Sequence, residues 1–477
     1  MKIILCIVSK APNMNEKFSW YGIIPPIGLA YLASYLIRAS HEVEILDDSI
    51  MTSCQMKDYI EAFKPDIVGF YTYTYAIEAC FTWAQIIKTV DKNIQIVFGG
   101  PHATHLPFHC LSNENVDIVV RGEGEETIVD VANCLSAGIS LDGVKGVVFR
   151  NRNGVVQDNG ERPFIKDLDV IHFPAYNLLK MDMYRANPTR RVTTRKYGSL
   201  IAHRGCSYRC SFCSQMFGKN VRYRSPENVV DELEMLVKKY GIGELRMLDD
   251  DFIIDPERAK KICDLIIERE LDIIWNCNCK VNNASRSLYQ TMYKAGCRGV
   301  LIGVESASQE MLDSMRKDIT IDQIEKGVSL AKEIIGFVNC TFLFGMPGDS
   351  IENVQKTIQF AKKLNPSFAY FSIAHPMPGS ELFNTEKEKC KIDMNKQNWE
   401  GFTILLSSQD PITVEMSDIS AKDLLKLRKQ AFREFYLRPA YMWSLFRKAY
   451  IIFFHHISLF MLGAYMILKY QFKKRNT

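Results

Sequence analysis

Three cysteines spaced Cys206-x3-Cys210-x2-Cys213 lie in the run His203-Arg-Gly-Cys-Ser-Tyr-Arg-Cys-Ser-Phe-Cys213, directly after the apolar segment Ser199-Leu-Ile-Ala202. Thiolates this close together hold one face of a metal centre, and all-sulfur ligation favours an iron–sulfur cluster or zinc. A structural zinc site closes with four ligands, and here Cys277 or Cys279 would have to supply the last one. The spacing departs from the paired C-x2-C ribbons that close zinc sites. Three thiolates on a cubane instead leave one iron open to a reacting ligand, which suits chemistry better than architecture.

Other polar groups fall at the ends of apolar segments. Asp249-Asp-Asp251 closes one, and because burying several carboxylates is costly, some must face a ligand or solvent. Glu305, in Gly303-Val-Glu-Ser306, sits inside an apolar run. Gly345-Met-Pro-Gly348 and Pro376-Met-Pro-Gly-Ser380 follow two more such runs, with residues that any tight turn would also use.

The elements that position these residues read as two α/β units. In the N-terminal third, strands are predicted at 2–9, 43–47, 66–73, 94–99 and 117–121, with helices at 26–38, 55–63 and 77–90 between them. Nearly continuous apolar strands alternating with helices indicate a doubly wound parallel sheet, whose ligands sit at the carboxyl ends of the strands. The informative loops are then Gly69-Phe-Tyr-Thr-Tyr-Thr74, Gly99-Gly-Pro-His-Ala-Thr104 and Arg121-Gly-Glu-Gly-Glu-Glu126. Residues 144–164 read as a hairpin turning at Asn-Gly, and the proline-bearing stretch to 197 as a linker. From 199 the strand–helix unit repeats, with strands at 199–204, 244–249, 273–278, 299–305, 338–345 and 368–374 and helices best seen at 226–239 and 256–269. This is an incomplete (β/α)6 barrel, and its functional residues are expected on the loops after the strands. The division expected is 1–140 for the first unit, 141–197 for hairpin and linker, 198–380 for the barrel and 381–477 for a mostly helical C-terminal region.

Composition sets limits on the class of protein. The 477 residues exceed what one core serves, and 47% hydrophobic with 24% charged residues is ordinary for globular protein. A net charge of +4 leaves no nucleic-acid footprint. The 14 cysteines, several in apolar strand-like runs, indicate reduced thiols and a reducing cytoplasm. The N-terminal apolar run leads to Lys10 and Pro12, so it reads as a strand and not as a signal peptide.

The cysteine loop resembles that of the radical S-adenosylmethionine (SAM) enzymes, and Phe212 matches an aromatic common in it. The first unit resembles the cobalamin-binding domain fused ahead of the barrel in one subgroup of that family, with Pro25-Pro-Ile-Gly-Leu-Ala30 opening its first helix. The resemblance covers nearly the whole chain. It implies that Cys206, Cys210 and Cys213 hold a [4Fe-4S] cluster and that SAM chelates the remaining iron. It places Asp250, Asp251, Glu305 and Ser306 around SAM. Toward cobalamin it places Thr72 and Thr74 from the first loop, Gly99, Gly100, Pro101, His102 and Thr104 from the second, and Gly122, Glu123, Gly124 and Glu125 from the third. The Asp-x-His-x-x-Gly motif that supplies a histidine to cobalt in many cobalamin proteins is missing, so the cobalt is expected to carry no protein histidine. His102 and His105 read as loop or substrate-side residues.

The resemblance implies a 5'-deoxyadenosyl radical formed from SAM, used to methylate an unactivated carbon of a small-molecule or lipid-like substrate. It also implies an electron donor such as flavodoxin or ferredoxin. The rivals are a ring-forming cyclase like the anaerobic magnesium-protoporphyrin ester cyclase, a tRNA methylthiotransferase, and a non-catalytic corrinoid and iron–sulfur sensor. The methylthiotransferase needs a second cysteine triad, and Cys6, Cys54 and Cys80 lie in the wrong surroundings for one. Near the C-terminus, 424–436 is a basic amphipathic helix. Residues 449–468 are uncharged apart from His455 and His456 and are flanked by basic residues, which fits peripheral membrane contact, a span, or a helix packed on the barrel.

Overall fold

The computed structural model describes residues 1–9, 23–151, 153–187, 189, 190–193, 195–389, 391–394, 396–402, 412, 414–439 and 441–443. The first sheet contains β1 (Lys2–Ile7), β2 (Glu42–Asp47), β3 (Ile67–Tyr71), β4 (Gln95–Gly99) and β5 (Ile118–Val120), all parallel in the order β2-β1-β3-β4-β5. Alternate side chains of β1 feed separate cores. Ile3 and Leu5 join Ile27, Leu36 and Ile128 on one face, whereas Ile4 and Cys6 join Met56, Ile77 and Trp83 on the other. Burial on both faces accounts for the uninterrupted apolar strands. The hairpin, β6 (Val147–Arg150) and β7 (Val156–Asp158), continues this sheet, because β6 pairs antiparallel with β5. It therefore belongs to the first unit, whereas the sequence reading set it with the linker.

The second sheet contains β8 (Tyr197–Leu200) and, after a short ribbon of β9 (His203–Arg204) and β10 (Arg222–Tyr223), β11 (Glu244–Met247), β12 (Ile274–Cys279), β13 (Cys297–Glu305), β14 (Phe337–Phe344) and β15 (Phe368–Ile373). Its six strands are parallel and follow chain order. The intervening helices Pro226–Tyr240, Pro256–Glu268, Arg286–Lys294, Ile321–Ile334 and Ile351–Leu364 each begin with a Ser, Asp or Thr side chain accepting from the first-turn backbone. The strand expected at 199–204 divides in two. After Leu200 the chain leaves the barrel sheet, and His203–Arg204 pairs antiparallel with Arg222–Tyr223. Asp249, at the end of β11, receives the backbone N–H groups of Ala202 and His203 at 2.9 and 2.7 Å and so fixes that departure.

The helix Ala421–Tyr436 lies against β15 and the helix Ile351–Leu364, burying Leu424, Leu427, Ala431 and Phe435. No helix among the described residues is long and apolar enough to cross a membrane. The segment 449–468 lies outside the described residues.

Candidate functional site

The cysteine loop is held at its base by the β9–β10 ribbon. Gly205 has φ of 89°, and a side chain there would strike the carbonyl oxygen of Asn220 on the returning limb. Cys206 N–H donates to the Gly218 carbonyl at 3.2 Å, Ser211 N–H to Met315 at 3.0 Å, and Ser211 accepts from Leu382 N–H at 2.9 Å. Cys206 is buried, Cys210 is half-buried and Cys213 is open. Desolvation by the surrounding protein raises the Cys206 thiol to about 11 and, although Cys213 is reachable by solvent, its thiol to about 12, with Lys317 opposing the rise at Cys213. Each thiol also feels the charges of its neighbours in the loop. Among the described residues no three His, Cys, Asp or Glu side chains close into a compact metal-binding group. Cys277 and Cys279, the candidates for a fourth zinc ligand, pack in the barrel core with their sulfurs 3.5 Å apart. The loop thus carries three cysteines on one short segment and no fourth beside them, a donor set whose chemistry fits a cubane better than zinc.

Around this loop lie the ends of β11, β12 and β13. Tyr208 donates its hydroxyl to Asp251 at 3.1 Å, and the Lys280 ammonium sits 3.6 Å from the centre of the Tyr208 ring. Lys280 is 6% exposed, its Nζ has no hydrogen-bond partner, and desolvation lowers its pKa. Asp251 also receives Lys280 N–H and Ile253 N–H, and burial raises its carboxyl to about 6. Asp250 is exposed, yet desolvation still raises its pKa. Of the predicted pair, Asp251 is therefore bound within the protein and Asp250 is open. Asp249 forms a buried ion pair with His203 Nδ1 at 3.0 Å.

Glu305 has φ of 65° where β13 shifts register against β14. Its carboxylate takes the Lys317 ammonium at 2.7 Å and the Thr341 hydroxyl at 3.2 Å. A side chain at Gly303 would strike both members of that pair. Ser306 turns away from this cluster, toward Ser308 N–H at 3.1 Å and Thr357 at 3.4 Å.

The loops at the carboxyl edge of the first sheet divide in the same manner. Thr72 donates to the Gly99 carbonyl at 2.8 Å and accepts from Ala103 N–H at 3.2 Å; Thr74 meets His102 Nδ1 at 3.3 Å. Both threonines are buried, whereas Tyr71, Tyr73 and Tyr75, alternating with them, are partly exposed; Tyr71 meets Tyr73 edge-on at 4.8 Å and Tyr73 stacks on Tyr75 at 5.3 Å. His102 is fully buried, with Nε2 on His109 Nδ1 at 2.9 Å, and burial lowers its pKa to about 3. Its ring packs in the interior and does not reach the open edge. Pro101 begins the short helix Pro101–His105, and Gly100 precedes it at φ of 92°, beneath the Tyr71 ring. Thr104 accepts from Gly122 N–H at 3.0 Å, joining the second loop to the third; Gly124 packs on Leu32. The backbone opened at Gly100 and the partly exposed tyrosines place aromatic side chains at this edge, a chemistry suited to an extended organic ligand rather than an ion.

Glu123 and Glu125 have a separate role. Glu123 accepts from Arg204 at 2.8 Å, from Arg222 at 2.8 and 2.9 Å, and from Ile165 N–H at 2.7 Å, while Glu125 pairs with the other arm of Arg204. Arg204 stands two residues before Cys206, so these carboxylates connect the first unit to the cysteine loop. Neither arginine, nor Lys280, Lys317 or the tyrosine row, was singled out by sequence reasoning. Arg204 lies two residues before the cysteine triad, but spacing carries no signal for a partner some eighty residues away.

Two family models match the chain: the radical SAM superfamily over residues 200–361 and the B12 binding domain over residues 18–132. The uncharacterized methyltransferase PH0819 of Pyrococcus horikoshii is 37% identical over 444 residues, 92% of this chain and 93% of that protein. The anaerobic magnesium-protoporphyrin IX monomethyl ester cyclase of Rubrivivax gelatinosus is 32% identical over 79% of this chain and 69% of that protein. Among solved structures, the radical SAM methyltransferase TsrM from Kitasatospora setae, with cobalamin and [4Fe-4S] cluster bound, aligns with a TM-score of 0.64 at 21% identity, over 82% of this chain and 75% of that one. The cobalamin-dependent SAM radical enzyme OxsB aligns at 0.69 and 17% identity over 98% of this chain and 74% of that one. At such identities these two structures establish the shared fold.

Proposed function

The chain belongs to the cobalamin-dependent branch of the radical SAM superfamily, whose cofactors are a [4Fe-4S] cluster, SAM and cobalamin, and from that premise we propose that it methylates an unactivated carbon of a small molecule. When bound, these groups supply a 5'-deoxyadenosyl radical for hydrogen abstraction and a methyl group for transfer.

The chain's own residues would serve them as follows. Cys206, Cys210 and Cys213 hold the cluster. Lys280, the buried cation with no hydrogen-bond partner, suits the carboxylate of SAM, and the open Asp250 suits its amino group. Glu305 and Lys317 neutralise each other beside the loop and keep a polar, water-poor wall there. The tyrosine row and the Gly99-Gly100 backbone support the corrin, while Glu123 and Glu125 hold the cysteine loop against the corrin-binding unit. The observation supporting the reading is that likeness to a methyltransferase-named relative over nine-tenths of the chain coincides with a direct Arg204–Glu123 ion pair between the region matching the B12 binding domain and the region matching the radical SAM superfamily.

Ring formation is the second reading, favoured by the 32% identity to the cyclase. Anaerobic turnover with methyl-deuterated SAM, a reductant and a small-molecule extract separates the two. Methylation yields 5'-deoxyadenosine with S-adenosylhomocysteine and a deuterated product. Deoxyadenosine without methyl transfer supports ring formation, and absence of deoxyadenosine overturns both in favour of a sensor. A flavodoxin or ferredoxin as electron donor, and docking of 449–468 on anionic membranes, complete the proposal. The docking is checked by salt-sensitive flotation with anionic liposomes that truncation after Arg447 abolishes.

A further inference from the structure

Arg204 and Arg222 are directly opposed in the ribbon that closes the cysteine loop. Like charges in that position repel. Both guanidiniums point at one carboxylate, Glu123, and Arg204 also reaches Glu125. Arg204, Glu123 and Glu125 are 5%, 7% and 4% exposed, so none of the three can turn to water for compensation. The ribbon is therefore electrostatically complete only with the 121–126 loop of the first unit in place.

The far end of the cysteine loop rests on the same unit. Ser214, immediately after Cys213, meets His105 Nε2 at 3.3 Å and donates to the Pro378 carbonyl at 2.7 Å. A side chain at Gly379 would occupy the space of the His105 ring. His105 ends the 99–105 segment, and Thr104 beside it binds Gly122 N–H. Both ends of the cysteine loop thus abut the two segments at the carboxyl edge of the first sheet.

We propose that Glu123 is a positioning residue that couples the two cofactor sites, so that cobalamin seated on the first unit and the cluster seated in the cysteine loop bind each other's protein more tightly. Each cofactor favours the placement of the segment it rests on, and because those segments share the Glu123 seam, seating one favours the geometry that the other needs. The coupling is reciprocal, as linkage requires. It rests on the family's cofactors and is independent of whether the reaction is methylation or ring formation.

Hydroxocobalamin titrated into the full chain, iron-free and after anaerobic cluster reconstitution, tests it. In the wild type the cluster is expected to tighten cobalamin binding by about fivefold or more. Glu123→Gln should bring the ratio near unity, and Arg222→Lys should retain part of it. The reverse measurement, loss of iron to a chelator, should slow on adding cobalamin in the wild type and not in Glu123→Gln. A wild-type ratio of one, or an undiminished ratio in Glu123→Gln, overturns the proposal. Should Glu123→Gln fail to fold, the same ratio measured in His105→Ala at the other seam decides, a reduced value supporting the coupling and an unchanged value refuting it. None of these readings involves turnover, so they stand or fall apart from the proposed reaction.

Discussion

The ammonium of Lys317 lies 2.7 Å from Glu305 in space that the missing side chain of Gly303 leaves open, two residues earlier on the same strand. The carboxylate is held in a left-handed backbone conformation at φ of 65°, aimed back over that glycine. Removing one buried partner strands the other's charge, so Lys317→Met should destabilise by about 3–5 kcal/mol. Gly303→Ala, which pushes the pair apart without removing a charge, should also lower the melting temperature. A melting curve unchanged for both variants would contradict the buried pair.

Anaerobically reconstituted protein should carry about one [4Fe-4S] cluster. Replacing Cys206, Cys210 and Cys213 together by alanine should remove the brown absorbance and the bound iron. Retained cluster and SAM cleavage in the triple variant would refute the assignment.

Cobalt should take no nitrogen from the protein. His102 is enclosed, with contacts at both ring nitrogens, and His105 is engaged by Ser214. Electron paramagnetic resonance of the cob(II)alamin form in uniformly ¹⁵N-labelled protein reads this directly. A ¹⁵N splitting from the protein would overturn it.

Stability should fall in mild acid. His102 is held near 3, chiefly by burial, against a usual 6.5. The unfolded chain therefore takes up a proton that the folded one refuses, and its contribution declines as pH drops from 6.5 toward 3. By pH 5.5 the loss is about 1.4 kcal/mol. His375, lowered to about 4, acts in the same direction. Denaturant titrations at pH 7.5 and 5.5 should show the decline, and His102→Leu should show less of it. An equal slope in the variant would place the acid sensitivity elsewhere.

The arrangement of strands and helices was legible because both sheets have helices on their faces, which imposes long apolar strands separated by capped amphipathic helices. The cysteine loop was legible because its three cysteines fall within eight consecutive residues. What the sequence did not disclose was direction. Thr72 and Thr74 were read toward a ligand, but the turn after β3 buries both and leaves Tyr71, Tyr73 and Tyr75 partly exposed. Asp250 and Asp251 are adjacent, yet only the fold shows that Tyr208 and two backbone N–H groups bind the second. Lys280 adjoins an unremarkable strand end, and its unmatched charge appears only once Tyr208 is folded against it.

The sharing of Glu123 by Arg204 and Arg222 also bears on modular construction. A barrel excised from this chain, or grafted behind a foreign N-terminal unit lacking an acidic pair at the matching loop, would carry facing guanidiniums with no anion between them. Chimeras in this family should therefore be cut so that the acidic loop and the arginine ribbon travel together, making that seam, and not the proline-bearing linker, the unit of exchange.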